Sequence, residues 1–410
     1  MTRHLSDWLE NYLKFTQESE PPTQYHVWSG VAALASVLRR KCYCNWGLRG
    51  NVYPNFYIAL VGPPGGRKGT AMKIAKAMVQ KLEIPMGSDA LGSIQILYKE
   101  IANAEDAYRE KKDILKVHRS LSIWAEEFQV FLSDNDIKFI SSLTDLFDCA
   151  DKWKYSTLSR GLDDLSNCFL NIIGAITPSL LQETLNTNAV GGGLLSRIIF
   201  VVGYGAIKRI ALTFLSKEDL ILQRNLEEDL QEIAQLAGVF KFSNNFLSSW
   251  VTWYEQIDQV DVVDNDKFLG YNARRALHIN KLCMIFSASE SNDMIIHRRH
   301  FKKALALLEE TEEEMPNAFY GLGRGTHSEI FSSFLQFLES RDSFSYAELL
   351  SAFQLDALPI DMDQYLNMAK LTGKVKEEKS DTEIRYIPIH EIKEKKDTKY
   401  LKNTLYSKMI

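Results

Sequence analysis

Cysteine, net charge and long apolar runs are all scarce in this chain of 410 residues. Its five cysteines are scattered, and Cys42-x-Cys44 has no second pair at zinc-site spacing, so neither a disulfide framework nor a cysteine zinc site is expected. The net charge of -5 exerts no overall attraction on nucleic acid, so any such contact needs a local basic patch. No stretch approaches the roughly 18 apolar residues of a membrane span, and the N-terminus is unlike a signal peptide. We therefore expect a cytoplasmic protein.

The remaining composition, 45% hydrophobic and 25% charged, is that of a globular protein. The length predicts two or three domains. Between residues 51 and 205, apolar strand-like runs alternate with helical segments, one of them predicted over 91–118. This alternation is typical of an α/β fold with a largely parallel sheet covered on both faces. The strand-like runs lie at 56–61, 121–125, 168–175 and 198–202.

The flanking regions differ in character from this α/β core. Residues 1–50 predict amphipathic helices, and residues 206–320 predict a helical lid region with acidic outer faces. Residues 327–389 predict three helices and a hairpin, a winged-helix-like domain whose second helix opens with the capping box Ser345-x-x-Glu348. Residues 390–410 form a basic tail.

A glycine-rich loop follows the first apolar run and precedes a helix. It consists of Gly62, Pro63, Pro64, Gly65, Gly66, Arg67, Lys68, Gly69 and Thr70. Glycines let backbone N–H groups approach phosphate oxygens, and a lysine contacts the β and γ phosphates, so this segment predicts an ATP-binding P-loop. Arg67 replaces the last glycine of G-x-x-x-x-G-K-[ST], and Gly69 replaces its hydroxyl residue. Thr70 is then the candidate magnesium ligand, or the metal is held less directly.

ATP hydrolysis also needs a carboxylate near magnesium and a group that orients the attacking water. The run 121–125 ends in Glu126-Glu127, at the separation along the chain expected of the strand adjacent to the loop-bearing one. We predict Glu126 as the metal ligand and Glu127 as the catalytic base; the alternative is a helix N-terminus, which favours acidic residues. Thr177, at the end of the next apolar run, is a candidate for contact with the γ phosphate or the water, or else a helix cap.

Three arginines are candidates for sensing the nucleotide. Arg197 follows Gly191-Gly192-Gly193 and suits an arginine finger that reaches a neighbouring subunit, unless it pairs with a local acid. Arg274 and Arg275 lie on a predicted helix and are candidates for a lid sensor, with a solvated or ion-paired surface as the alternative.

Two basic segments are candidate DNA contacts. Lys152 and Lys154 alternate with aromatic residues on a predicted hairpin that also carries Arg160, as expected of a pore loop that tracks phosphates and stacks bases. Lys376 and Lys379 lie on the predicted wing of the winged-helix-like domain, where they are placed to contact phosphates. The alternatives are a plain surface hairpin and a protein-contact role for the C-terminal domain.

The motifs resemble those of a family of P-loop ATPases carried by phages, prophages and plasmids, often described as primase-associated helicases. The resemblance covers about Tyr25 to Ser287, and Arg67 matches the habit of that family whereas Gly69 departs from it. It rests on Tyr25-His26-Val27-Trp28-Ser29, Val52-Tyr53-Pro54-Asn55, residues 62–68, Ala125-Glu126-Glu127-Phe128, Asp151-Lys152-Trp153-Lys154-Tyr155, Gly174-Ala175-Ile176-Thr177-Pro178 and Gly191-Gly192-Gly193-x-x-Ser196-Arg197. The resemblance implies a RecA-like or AAA+-like motor that forms a homo-oligomeric ring and uses ATP and Mg2+ on single-stranded DNA. Because the sequence shows no primase zinc ribbon or polymerase domain, any priming function or other replication protein is expected to be a separate polypeptide.

The leading prediction is therefore an ATP-hydrolysing DNA motor, such as the replicative helicase of a phage or mobile element. The alternative is an ATP-dependent assembly factor, such as a helicase loader or a defence-system ATPase without processive unwinding. A third interpretation is a nucleotide-binding protein that hydrolyses little, because Gly69 lacks the expected hydroxyl.

Overall fold

The computed structural model describes most of the chain, and its residues divide into two compact units that meet in sequence at Phe319 and Tyr320. The described residues are 3–89, 93–110, 114–132, 137–157, 161–184, 193–204, 208–256, 263, 268–319, 334, 337–338, 341, 343–353, 358–379 and 384–388. The predicted basic tail lies outside them, as does most of the first helix predicted for the winged-helix-like domain.

Helices and strands are numbered along the chain. The helices are α1 (Trp8–Thr16), α2 (Thr23–Leu38), α3 (Lys68–Gln80), α4 (Ile94–Asn103), α5 (Phe128–Leu132), α6 (Ile137–Phe147), α7 (Pro178–Thr184), α8 (Lys217–Ile233), α9 (Asn244–Tyr254), α10 (Leu269–Glu290), α11 (Arg298–Glu314), α12 (Tyr346–Phe353) and α13 (Pro359–Leu371). The strands are β1 (Cys42–Asn45), β2 (Asn51–Val52), β3 (Tyr57–Val61), β4 (Glu105–Glu110), β5 (Ile114–Ala125), β6 (Lys152–Thr157), β7 (Gly161–Ser166), β8 (Cys168–Ile176), β9 (Ile198–Val202), β10 (Gly238–Phe242), β11 (Ile295–Ile296), β12 (Phe344–Ser345), β13 (Val375–Lys379) and β14 (Ile384–Pro388).

The apolar runs of the sequence form a central sheet with the spatial order β4-β5-β8-β3-β9. Strands β5, β8, β3 and β9 are parallel to their neighbours, and β4 is antiparallel to β5. All residues of β3, β8 and β9 are buried. Because successive side chains point to opposite faces of a sheet, this burial means that both faces are covered. The predicted α/β class with a largely parallel sheet is confirmed.

The sheet order corrects one prediction about the acidic strand end. Strand β8 lies between β5 and β3, so the strand that leads to Glu126 is not adjacent to the loop-bearing strand. The number of residues between two strands does not determine whether a third strand lies between them in the sheet. Here β8 pairs with both β5 and β3, and these pairings join segments that are far apart in the sequence. The parallel directions nevertheless bring the carboxyl ends of β5, β8 and β3 to one edge of the sheet, the carboxyl edge.

The predicted helix over residues 91–118 is wrong beyond Asn103. There β4 and β5 form a hairpin, in which Glu105 lies opposite Arg119 and Glu110 lies opposite Ile114. The guanidinium of Arg119 binds the carboxylate of Glu105 across the strands. Cross-strand pairs of this kind stabilise a sheet and override the helical pattern of the isolated segment.

A second sheet joins regions that are far apart in the sequence. Its order is β11-β10-β1-β2, and Cys42 of β1 lies beside Gly238 of β10. Helix α2 is buried along almost its whole length and packs against α3, β3, β8 and β9. The N-terminal helices, the α/β core and the helical region up to Phe319 therefore belong to one compact unit. Among the helices of the described ranges, none combines the length and the apolar character needed to cross a membrane.

The second unit contains α12, α13 and a three-stranded sheet with the order β12-β14-β13. The predicted capping box is confirmed, since the N–H of Glu348 donates to the Ser345 hydroxyl and the Glu348 carboxylate accepts from the Ser345 N–H. Its apolar core includes Phe334, Phe344, Leu349 and Leu366. The short strand β12 was not predicted.

Acid is expected to destabilise the first unit between about pH 6.5 and 4. Burial lowers the pKa of His26 and of His118 to about 4 and that of His278 to about 3. The unfolded chain binds protons on these rings below about pH 6.5 and the folded chain does not, so stability present above that pH is lost as the pH falls. The slope is about 1.4 kcal/mol per pH unit for each histidine. Urea unfolding followed by tryptophan fluorescence at two pH values in this range measures it; equal unfolding free energies at both would contradict the expectation.

Candidate nucleotide-binding site

The glycine-rich loop, residues 62–70, connects β3 to α3 at the carboxyl edge of the central sheet. Gly65 has a φ of +73° and Arg67 a φ of +63°, which explains why glycine is the expected residue at the position that Arg67 occupies. Gly62 sits in a confined space, because a Cβ atom there would lie 2.2 Å from the Tyr25 hydroxyl. That hydroxyl donates to the carbonyls of Val61 at 2.7 Å and Gly203 at 3.0 Å. Tyr25 thus anchors the start of the loop between two strands.

Lys68 is the first residue of α3, and its ammonium group turns back onto the loop. Its Nζ donates to the carbonyl oxygens of Gly62 at 2.6 Å and Pro63 at 2.8 Å. The side chain is buried, and desolvation lowers its pKa. The first turn of α3 adds backbone N–H groups that have no acceptor within the helix, together with the positive end of the helix dipole. An ammonium group and a helix N-terminus at one place suit a phosphate.

Arg67 is engaged outside the loop. Its Nε lies 2.6 Å from Oε2 of Glu20, in the connection between α1 and α2. The other carboxylate oxygen of Glu20 accepts from the N–H of Ile210 at 3.1 Å. In this arrangement Arg67 connects the loop to its surroundings, and a contact with phosphate would require Arg67 to exchange Glu20 for the ligand.

Glu126 reaches the first turn of α3 from the end of β5. A Cβ atom on Gly69 would lie 3.6 Å from Oε2 of Glu126, and Nζ of Lys73 lies 3.0 Å from the same oxygen. Gly69 and Lys73 are four residues apart and share one helix face. Thr70 is exposed and follows Gly69 by about 100° around the helix, so it belongs to another face. The structure therefore brings Glu126 to Gly69, the position that lacks the hydroxyl, and the assignment of Thr70 as a magnesium ligand stays a prediction.

A close approach of a helix to the sheet holds Glu126 in this place. The Phe128 ring packs on Gly174 of β8, where an added Cβ would lie 2.3 Å from Cδ2 of the ring. Glycine inside a strand signals such an approach, and this signal is present in the sequence. Glu127 is exposed, and its carbonyl accepts the N–H of Val130 at 3.0 Å in the first turn of α5. Of the two acids, Glu126 is the one that the structure brings to the loop.

These residues fit a magnesium ion only in part. Magnesium in phosphate sites takes one or two carboxylates, with substrate phosphates and water completing the shell. Glu126 supplies a carboxylate, but Gly69 supplies no hydroxyl. Within the described ranges, no group of three or more His, Cys, Asp and Glu side chains is arranged to hold a metal ion. Phosphate oxygens would therefore have to complete the ligand set.

Thr177 follows β8 at the same carboxyl edge. Its Oγ1 accepts the N–H of Leu180 at 3.4 Å and lies 3.2 Å from the Ser179 hydroxyl. The residue therefore caps α7, the alternative role that the sequence left open. Its position at the tip of the strand between β5 and β3 still places it between Glu126 and the loop.

Arg197 and Arg274 lie at the opposite, amino edge of the sheet. Arg197 immediately precedes β9, whose first residue is beside the first residue of β3. Its side chain is buried, donates to the Gly193 carbonyl at 2.9 Å and pairs with Asp148 at 2.8 Å. Arg274 donates to the Ser196 hydroxyl at 3.0 Å and lies 3.5 Å from Asp148. The local acid that the sequence left as an alternative for Arg197 is thus Asp148. Gly191 and Gly192 lie outside the described residues.

Arg275 forms a buried ion pair. Its Nε lies 2.8 Å from Oε1 of Glu312, and the Tyr271 hydroxyl donates to the same oxygen at 2.9 Å. The ion-paired alternative to a lid sensor therefore describes Arg275 in this conformation.

The candidate DNA contacts lie on two separate hairpins. Strands β6 and β7 form the first hairpin as predicted, with Lys152 exposed at its base. The side chain of Lys154 and the whole of Arg160 lie outside the described residues. On the second hairpin, in the second unit, Lys376 is exposed, and the side chain of Lys379 lies outside the described part.

The carboxyl edge of the central sheet thus combines Lys68, Gly69, Glu126 and Thr177. The sequence did not predict the roles of Lys73 and Glu20 or the packing of Phe128 on Gly174, because all three depend on contacts between distant segments. No protein-family model matches the chain, and no curated protein matches it significantly.

Proposed function

We propose that this chain is a P-loop ATPase with a RecA-like or AAA+-like core that acts as an oligomeric DNA motor. The observation that carries the proposal is the contact of Glu126 with the first turn of α3, beside the loop that bears Lys68. One carboxylate, one ammonium group and a helix N-terminus meet there, and phosphoryl transfer needs such groups for positioning and for charge stabilisation.

The topology supports this class of core. Glu126 and Lys68 come from strands separated by β8, and Thr177 ends that intervening strand. Two strand spacings amount to about 10 Å at the sheet edge. The Glu126 side chain extends from the end of β5 toward the first turn of α3, the helix that Lys68 begins. In open α/β sheets, ligands bind outside the carboxyl ends of the strands, which is where these side chains lie.

The DNA-directed part of the proposal rests on the basic hairpins and on the resemblance. Lys152 and Lys376 are exposed on hairpins, and hairpins with cations and aromatic residues suit contact with a phosphate backbone. In the second unit, two helices and a three-stranded sheet support a winged-helix-like assignment.

The test is ATP turnover measured with and without single-stranded DNA. A motor is expected to hydrolyse ATP faster when DNA is bound, and Glu127→Gln and Glu126→Gln then show which carboxylate acts as the base. Turnover that single-stranded DNA leaves unchanged would refute the motor proposal. Intact turnover in Glu127→Gln would refute the assignment of the base to Glu127.

Restoring a hydroxyl at position 69 is expected to raise magnesium-dependent turnover severalfold. The space allows it, since an added Cβ would make an ordinary 3.6 Å contact with Glu126. Gly69→Ser supplies the oxygen ligand that magnesium prefers, and Gly69→Ala adds the same carbon without the oxygen. The two variants are compared over a magnesium titration. Equal turnover rates in Gly69→Ser and Gly69→Ala would show that the gain comes from a higher helix propensity and not from a new metal ligand.

A second candidate function, nucleotide binding with little hydrolysis, is favoured by the pair between Lys73 and Glu126. The 3.0 Å contact competes with a metal ion for the carboxylate, and the Glu126 side chain is 39% exposed. In this case the wild-type protein binds ATP with the affinity of an active enzyme but hydrolyses it slowly in a single-turnover measurement. Lys73→Met is then expected to speed hydrolysis, because it frees the Glu126 carboxylate.

A further inference from the structure

A cavity of about 370 Å3 opens at the amino edge of the central sheet. Asn55, which precedes β3, is part of its wall, whereas the glycine-rich loop follows the other end of the same strand. The length of β3 separates the two places by roughly 16 Å. The remaining wall comes from the segment 46–53, the end of α6, and helices α9 and α10.

Aromatic rings form much of this wall. Trp46, Tyr53, Phe147, Trp250 and Tyr254 all contribute. Trp46 and Trp250 have ring centroids 5.1 Å apart, and the residue Tyr254 is 37% exposed. Trp46 is half-buried and Tyr254, which stacks on Trp250 with ring centroids 6.2 Å apart, is exposed, whereas Phe147 and Tyr53 are buried.

Positive charge exceeds negative charge around the cavity. Arg49, Arg274 and the buried Lys281 line it, and among the described residues of its wall Asp148 supplies the one carboxylate. Asp148 is already paired with Arg197 at 2.8 Å and lies 3.5 Å from Arg274. Arg49 lies over the Tyr254 ring, at 5.6 Å from its centroid, and donates to the Tyr254 hydroxyl at 3.1 Å.

Lys281 is an unusual group to find at the bottom of a cavity. Its Nζ donates to the carbonyl of Asn55 at 3.0 Å and to the Asn55 side-chain oxygen at 2.6 Å, so its hydrogen-bond acceptors are neutral. Desolvation lowers its pKa to about 7. A buried cation without a bonded carboxylate is costly, and an anion in the cavity would offset that cost.

We propose that this cavity binds an unpaired nucleotide, with the base against Trp46 and Tyr254 and the phosphate at Arg49 and Arg274. Aromatic rings beside cations recognise a base and its phosphate together, whereas an inorganic anion would leave the rings unused. The volume lies in the range of sites for small ligands. The nucleotide comes either from a single strand or from solution. Lys152, close in sequence to Asp148 and Cys149 of the wall, favours a strand at this edge. The inference goes beyond the proposed ATPase, because binding here needs no hydrolysis.

Fluorescence anisotropy with a fluorescein-labelled thymidine dodecamer tests the proposal in the full-length protein without ATP. Arg49→Glu and Arg274→Glu are each expected to weaken binding about tenfold, equivalent to about 1.4 kcal/mol. Arg298→Glu is the matched control, since Arg298 is exposed at the start of α11 and outside the cavity, and it should bind like the wild type. Competition with thymidine monophosphate separates the two sources: weak competition indicates a strand, and competition at a similar concentration indicates a free nucleotide.

An abasic dodecamer tests the part played by the rings. The wild type should prefer the thymidine strand to the abasic strand, and Tyr254→Ala should lose that preference. Absence of binding to both the strand and the monophosphate, or wild-type affinity in both arginine variants, would overturn the proposal. Lys68→Ala should retain binding while losing ATP turnover. A protein that binds the strand through Arg49 without hydrolysing ATP would refute the proposed ATPase and leave this inference standing.

Discussion

Lys68→Ala is expected to reduce ATP turnover by about 100-fold or more, the effect of removing one preorganised charge contact from a phosphoryl-transfer site. The ammonium group of Lys68 is held at the carbonyls of Gly62 and Pro63, and the γ phosphate is expected to replace those carbonyls as its partner. Steady-state turnover and equilibrium binding of a fluorescent ATP analogue measure the loss separately.

Lys81→Ala is the matched control for this substitution. Lys81 directly follows the same helix, and its ammonium group pairs with Glu227 on an exposed surface at 2.6 Å. Its removal should change turnover less than twofold, because an exposed pair contributes only about 1 kcal/mol or less to stability and none to the site. Wild-type turnover in Lys68→Ala, with the fold confirmed by circular dichroism, would rule out a phosphate-binding role for Lys68.

Glu312→Ala is expected to lower the free energy of unfolding by about 3–5 kcal/mol. The substitution removes the nearer and buried carboxylate partner of the Arg275 guanidinium and also removes the acceptor of the Tyr271 hydroxyl. Both members of the pair are at least nine-tenths buried, with side chains 5% and 1% exposed, so water cannot replace the lost partner. Urea unfolding measures the change.

Glu309→Ala is the control that separates the effect of losing a buried contact from the effect of losing one negative charge. Glu309 also faces Arg275, at 3.5 Å, but its side chain is 54% exposed. The expected cost is about 1 kcal/mol or less, because solvent screens an exposed pair. Similar losses in both variants would mean that the loss of one negative charge matters and the buried contact does not.

Local signals in the sequence were enough to predict the glycine-rich loop and its setting. An apolar strand, a Gly/Pro turn and a lysine before an amphipathic helix are interactions between near neighbours, so the pattern of 56–82 alone indicates β3, the loop and α3. The capping box at Ser345 was predictable for the same reason.

Long-range pairing decided the rest of the candidate site. Whether Glu126 or Glu127 faces the loop depends on β8 lying between β5 and β3 and on Phe128 packing against Gly174. The segment after Asn103 forms β4, and not the predicted helix, because it pairs with the antiparallel strand β5.

The candidate sensor arginines show the same division. Their sequence context left a nucleotide sensor and an ion pair as alternatives, and in the structure Asp148 and Glu312, both distant in the chain, bind Arg197 and Arg275. A single sequence shows which side chains carry charge and which local turns they favour. Tertiary structure alone decides which charges meet, because the free energy of a buried pair depends on desolvation and geometry that arise only when distant segments pack.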